Sequence, residues 1–449
     1  MPRRSMLCTH TERLSLKNLA CTYQQLTNLA MGPPTRAHPQ LTTRATTLTA
    51  VSKKRVLVIG GGPAGLIAAD LLAGTCEVHL CEQGRTLGRK FLVAGDGGLN
   101  ITHSAVGEDL LARYTPKEFM RGPLLAFGPA ELRAWLAERG VDTFIGSSGR
   151  IFPRPPLTPA QVLRAIVDKV VSKGVQVHLR HAFAGFDAER CPIVVYEGSP
   201  VSMVADHYLF ALGGASWPKT GSTGEWRQQF EGIGVHTVPF QASNCGVDVA
   251  LSESMRVHAG KPLKNVHVSA GERSQRGEVT ITEHGLEGNA IYPIVPALRE
   301  AMAKGEDAHL LMDLKPDVTV QELERRLAGA AWKERVSALK LDRAAVALLK
   351  AFTPVQRYVE GRSLAEDVKA LRIPVIGLRP LDEAISTVGG IALAEVAPDL
   401  SLIKHPHLSV AGEMIDRDAP TGGFLLQGAF STGYVAAQGI LVRLADRET

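Results

Sequence analysis

Residues 55–65 read Arg55-Val56-Leu57-Val58-Ile59-Gly60-Gly61-Gly62-Pro63-Ala64-Gly65. The apolar, largely β-branched run up to Ile59 predicts a buried parallel strand. Leu66-Ile67-Ala68-Ala69-Asp70-Leu71-Leu72 beyond it is helical in composition. Between them Gly60-x-Gly62-x-x-Gly65 stands in the strand–turn–helix context that gives this spacing a mechanism. Gly60 permits the tight turn, Gly62 lets backbone approach a pyrophosphate, and Gly65 lets the helix pack on the strand. Gly61, Pro63 and Ala64 complete the turn, and the helix N-terminus offers free N–H groups to the anion.

A second strand, Glu77-Val78-His79-Leu80-Cys81, ends in Glu82-Gln83, with Glu82 20 residues after Gly62. An acid there holds a ribose hydroxyl pair, which favours FAD or NAD over NADP. Residues further along separate the two. Gly84-Arg85-Thr86-Leu87-Gly88-Arg89-Lys90 follows directly, and near the other end Leu408–Asp416 reads as a strand closing on Gly412-Glu413. Ala419-Pro420-Thr421-Gly422-Gly423-Phe424 then leads into a helix. A second strand, Gly-acid pair and helix so far away suits a ligand longer than NAD. A flavin needs its ribityl chain and ring held beyond the pyrophosphate, and a helix N-terminus stabilises negative charge on the reduced ring.

With those residues in view, the chain resembles the YhiN/BaiN-like (aminoacetone-oxidase-family) FAD-binding flavoproteins, within the glutathione-reductase-type FAD fold. Four stretches carry the resemblance over about residues 55–440: VLVIGGGPAGLIAADLL with LCEQGRTLGRKFLVAGDGGLNITH, GRIFPRPPLTPAQVLRAI, LFALGGASWPKTGSTG, and TVGGIALAEV with LSVAGEMIDRDAPTGGFLLQGAFSTGYVAAQG. The resemblance implies an α/β fold: a Rossmann-like FAD-binding domain with an inserted small β-barrel and a helical subdomain. It implies that Gly60, Gly61, Gly62, Pro63, Ala64 and Gly65 hold the pyrophosphate, that Glu82 with Gln83 holds the adenosine ribose, and that Arg89 and Lys90 lie along the phosphates. The resemblance further implies that Phe183 lies near adenine, that Gly213 ends a strand of the fold, and that Gly412, Glu413, Gly422, Gly423 and Phe424 embrace the flavin end. Leu212 replaces the usual Thr beside Gly213.

The loop Ala94-Gly95-Asp96-Gly97-Gly98-Leu99-Asn100-Ile101-Thr102 departs further. Many relatives read Ser-Gly-Gly-Gly-Arg-Cys-Asn-x-Thr, so the Arg-Cys pair has become Gly98-Leu99, and an activity that needs either residue is not inherited. The loop lacks the lysine of a P-loop. Gly97 and Asn100 are read as its contacts with the pyrophosphate-to-flavin stretch.

Five segments follow: an N-terminal extension at 1–54, FAD-binding parts at 55–214 and 387–449, a β-rich insertion at 215–318, and a helical insertion at 319–386. Val247–Val249, Val266–Ser269 and Glu278–Thr282 alternate as half-buried strands do. Leu323, Leu327, Val336, Leu339, Val346 and Leu349 recur at helical spacing. The extension carries net +7 of the chain's +5, leaving the body at −2. It has the basic, acid-poor composition of an organellar transit peptide, although an unstructured extension or an early start codon explains it more simply. With no apolar run of transmembrane length and no zinc spacing among the six cysteines, the expectation is a cytoplasmic protein without membrane or metal partner. Residues 321–372 carry net +4, with Trp332 and Tyr358 among the basic residues. A solvated helix face accounts for this more readily than a site for structured RNA.

No second Gly-x-Gly-x-x-Gly has strand–turn–helix context, so NAD(P)H would have to dock transiently at the flavin. Flavin N5 carries the hydride, leaving the protein to orient a small-molecule substrate and supply a proton. Candidates for that role are Asn100, His103, Lys219 and His284, with Glu413 beside them. Three functions stay open: reduction of a conjugated double bond or similar acceptor, amine oxidation with oxygen, and modification or binding of RNA.

Overall fold

The computed structural model describes residues 53–95, 98–328, 330, 334–360 and 363–446. Most of the 1–54 extension, Gly97 and Trp332 therefore lie outside the described residues. Five parallel strands form the central sheet: β1 (Arg55–Ile59), β2 (Glu77–Glu82), β3 (Gln176–Leu179), β4 (His207–Phe210) and β5 (Leu408–Val410). Their order is β5-β4-β1-β2-β3. The chain thus leaves β1 toward β2 and later returns on its other side as β4. That reversal opens a crevice at the carboxyl end of β1, the place where such sheets bind ligands.

Val56, Leu57, Val58 and Ile59 are all buried, as strands covered on both faces are; Phe183 and Phe186 of the antiparallel strand His181–Phe186 pack on Phe210 of β4. Helix α1 (Pro63–Leu72) starts with Pro at its first position, where the missing N–H costs nothing. It is crossed by the long helix α2 (Phe424–Asp446). The crossing is close at Gly433, where a Cβ would stand 2.3 Å from the Ala64 carbonyl oxygen. Asp70, buried in α1, receives the Trp135 indole N–H at 2.9 Å and forms an ion pair with buried Arg139.

A second core belongs to the insertion. Val247–Val249, Gly285–Glu287, Arg273–Ile281, Pro262–Ala270, His309–Asp313 and Leu371–Leu378 close a six-stranded barrel in that order. Five helices, Val320–Ala328, Arg335–Ala338, Arg343–Phe352, Val355–Glu360 and Leu364–Lys369, lie between its last two strands in sequence. The barrel is therefore closed by Leu371–Leu378, inside the 319–386 span that the sequence assigned to helices. The antiparallel pair Thr237–Ser243 and Ser386–Ile391 joins the insertion to the sheet domain. Among the described residues, no helix is long and apolar enough to cross a membrane.

Candidate functional site

The crevice above β1 deepens into one cleft bounded by the turn after β1, the residues after β2 and β4, and the first turns of α2. Its floor is the glycine turn. A Cβ on Gly60 would lie 2.3 Å from the Ala211 carbonyl oxygen, and one on Gly65 would lie 1.9 Å from the Gly60 carbonyl oxygen. Both glycines are required by protein backbone. Gly62 differs: its backbone is ordinary, and a Cβ would meet no protein atom within 4 Å. The space beside Gly62 at the start of α1 is thus a cradle open to a ligand, as a bound pyrophosphate requires.

Glu82 is positioned by backbone on both sides. Gly61 N–H donates to Glu82 Oε2 at 2.9 Å and Gly84 N–H to Oε1 at 2.7 Å. Burial pushes the Glu82 carboxyl above its ordinary value, while those two N–H groups and Arg89 pull the other way. Gln83 donates to the Gly221 carbonyl oxygen at 2.6 Å, and Arg89 donates to the carbonyl oxygen of Lys219. Arg89 and Gln83 thereby tie the 218–223 loop over the cleft.

At the far end, Lys90 Nζ lies 2.7 Å from Glu413 Oε2 and 2.8 Å from Ser216 Oγ. Thr387 N–H donates to Glu413 Oε1 at 3.1 Å. Burial opposes ionisation of Glu413, but the Lys90 ammonium, the Thr387 N–H and Arg417 hold its carboxyl below the usual range. Gly214 makes room for this cluster, since a Cβ there would stand 2.1 Å from Thr387 Oγ1.

Of the residues expected to bind cofactor, Gly60, Gly61, Gly62, Pro63, Ala64, Glu82, Gln83, Arg89, Lys90, Phe183, Gly213, Gly412 and Glu413 line this cleft. Gly422, Gly423 and Phe424 do not. Gly423 is pressed against Thr102, where a Cβ would lie 2.5 Å from the carbonyl carbon, so these residues act as packing for the opening loop. Asn100 also points elsewhere, donating to the carbonyl oxygens of Thr102 (2.8 Å) and Ile151 (3.1 Å).

The proton-donor candidates are scattered. His103 stacks on Phe424 at 4.9 Å. Its Nδ1 accepts from Ala105 N–H at 3.0 Å, so the other nitrogen carries the hydrogen and donates to the Ser148 carbonyl oxygen at 3.1 Å. Burial, Arg113 and Arg150 lower its pKa against the pull of Ser148. His103 is a satisfied neutral histidine. Lys219 contributes its carbonyl to Arg89, and its side chain is exposed on a short helical turn set by Pro218. His284 is exposed on a barrel turn, its N–H held by Thr282 Oγ1 at 3.3 Å. Neither side chain lines the cleft. Arg417 does, as do His181 and the α2 residues Leu425, Leu426 and Ala429. None of these stands out in the sequence by motif or spacing. Arg417 stands between Asp416 and Asp418, which in the sequence reads as an exposed charged turn.

The model of the HI0933-like protein Rossmann domain matches residues 54–439. The chain belongs to this family. HI0933-like membership agrees with the resemblance of its motifs to YhiN/BaiN-like flavoproteins, and the chain is an FAD-dependent oxidoreductase. Among curated relatives, it is 23% identical over 416 residues to the 3-dehydro-bile acid delta(4,6)-reductase of Clostridium scindens, covering 86% of this chain and 98% of that protein. It is 22% identical over 400 residues to the ribosomal RNA dihydrouridine synthase of Escherichia coli, covering 86% and 97%. Among solved structures, the 3-ketosteroid delta1-dehydrogenase of Sterolibacterium denitrificans aligns at 13% identity and TM-score 0.48, covering 86% of this chain and 99% of that one.

Proposed function

We propose that this protein reduces a carbon–carbon double bond conjugated to a carbonyl in a small-molecule substrate, with NAD(P)H as a transiently docked reductant. The observation carrying this is the continuous cleft from the open cradle at Gly62 to the Lys90–Glu413 pair and the first turns of α2. Kinship with a bile-acid delta(4,6)-reductase supports a double bond as the electron acceptor.

FAD, when bound, supplies the hydride chemistry. The turn from Gly60 to Gly65 and the α1 N-terminus hold its pyrophosphate, and Glu82, braced by Gly61 and Gly84, takes the adenosine ribose. Phe183 flanks adenine beside Gly213, and Arg89 and Lys90 lie along the phosphates. Gly412 and Glu413 hold the ribityl chain, while Asn100 shapes the opening loop through Thr102 and Ile151 and Gly423 packs against that loop at Thr102. The insertion, a barrel closed by Leu371–Leu378 together with its helices, covers the substrate in this reading.

A second reading, reduction of a base in structured RNA, is favoured by the E. coli relative's name. Anaerobic stopped-flow on the purified protein tests the first reading. Rapid bleaching of flavin absorbance by NADH or NADPH, and reoxidation by a conjugated enone, are expected. Bleaching by a primary amine alone, with peroxide formed on admitting air, would overturn it. Reoxidation by ribosomal RNA but by no enone would establish the second reading instead.

A further inference from the structure

Arg417 is 4% exposed and lines the flavin end of the cleft. Among the described residues it forms no ion pair, and its Nε has no hydrogen-bond partner. Its guanidinium lies against the second turn of α2, where a Cβ on Gly428 would stand 2.7 Å from Nη1. A helix presents partial positive charge at its N-terminal end, so this is an unfavourable place for a buried cation. The nearby carboxylates are committed elsewhere. Glu413 pairs with Lys90 at 2.7 Å, and Asp418 pairs with Arg299 at 2.8 Å and accepts from Ser243 Oγ at 2.6 Å. The fold handles its other buried arginine differently, giving Arg139 the carboxylate of Asp70. Buried charges are ordinarily paired. One that is not, facing a ligand cleft, points to an anion that the ligand brings.

The cofactor brings one when it is reduced. Uptake of two electrons and one proton, delivered as a hydride by the reductant, leaves the isoalloxazine with one negative charge centred on N1 and the C2 carbonyl. Resting on the FAD reading of this cleft, we propose that Arg417 is the counter-ion of the reduced flavin and sets its reduction potential. Oxidised flavin is neutral at the ring and gains little from Arg417. The reduced form gains a charge-assisted partner in a water-poor site. Burial lowers the pKa of the guanidinium, while Tyr114, Glu413 and Asp418 favour its charged form.

The test compares wild type with Arg417→Met and Arg417→Lys as holoproteins and as apoproteins. Arg417→Met is expected to keep oxidised FAD within about threefold of wild-type affinity. Its affinity ratio for reduced over oxidised flavin should fall about tenfold, which is a midpoint potential about 30 mV lower for a two-electron couple. Sulfite, whose addition also leaves negative charge on the ring, should bind Arg417→Met about tenfold more weakly. Arg417→Lys should retain most of the wild-type potential. The Arg417→Met apoprotein should melt no lower than wild type, since burial of this unpaired charge outweighs its attraction to Tyr114, Glu413 and Asp418; a structural role predicts the opposite. Should Arg417→Met not fold, Arg417→Gln provides the same comparison. An unchanged potential in a charge-neutral variant that still holds FAD overturns the inference and leaves the cofactor reading standing. A wild-type protein that binds no FAD overturns both.

Discussion

Lys90 and Glu413 meet at 2.7 Å across 323 residues of sequence, closing the cleft between its two halves. Replacing Lys90 by Met should leave a half-buried carboxylate without its cation, at a cost of about 2 kcal/mol. Denaturant unfolding of the apoprotein would show it. Because the folded Glu413 carboxyl lies below its ordinary value, its contribution is fully present above the unfolded pKa and lost as pH falls through the lower folded one. Wild-type stability should therefore begin to drop as the pH falls below roughly 5. Lys90→Met should keep only the smaller part of this dependence, which the Thr387 N–H and Arg417 sustain.

Gly62 and Gly65 separate binding from folding. Gly62→Ala adds a methyl where no protein atom lies within 4 Å, so apoprotein stability should change by less than about 1 kcal/mol. FAD affinity, followed by fluorescence quenching, should fall at least tenfold, about 1.4 kcal/mol. Gly65→Ala drives a methyl into the Gly60 carbonyl oxygen and should instead destabilise the apoprotein by about 1–3 kcal/mol. Equal flavin affinity in wild type and Gly62→Ala would contradict a phosphate at that cradle.

Asp70 is far less tolerant of change. It is 4% exposed and Arg139 is 9% exposed, so Asp70→Ala strands a buried guanidinium. A loss of about 3–5 kcal/mol is expected, read as a lower denaturant midpoint. The flavin spectrum of the remaining folded protein should be unaltered.

His103 should leave no mark on the pH–rate profile between pH 6 and 9. Its pKa is lowered from 6.5 by burial and by Arg113 and Arg150, so the folded protein resists protonating it. Its contribution to stability is present at neutral pH and declines as pH falls below the unfolded value. Thermal unfolding at pH 7.5 and 5.5 checks this: wild type should lose more stability on acidification than His103→Gln does.

Residues whose role is local are legible in the sequence itself. The Gly60–Gly65 turn declares itself because strand, turn and helix are adjacent along the chain, and Gly412-Glu413 repeats that logic at a second strand end. Arg417 is not legible in this way, because an arginine between two aspartates looks like a surface residue until tertiary packing removes water and assigns Asp418 to Arg299. Leu371–Leu378 alternates buried and exposed as a strand should. Pro374 within it argues against a strand, and the helical run ahead of it masks the change of period. His103 and Lys219 look chemical by residue type, yet the His103 ring is spent on Ala105 and Ser148 and the Lys219 side chain is exposed outside the cleft lining.

The contact of Gly433 with the Ala64 carbonyl has a consequence for biosynthesis. Among the described residues, the phosphate turn belongs to the first segment synthesised, and the helix that backs it to the last. A nascent chain in which α2 has not yet emerged has the glycine turn without its support, so cofactor loading must await synthesis of that helix. Truncations within α2 should accordingly accumulate as colourless protein, even though every residue of the fingerprint is present.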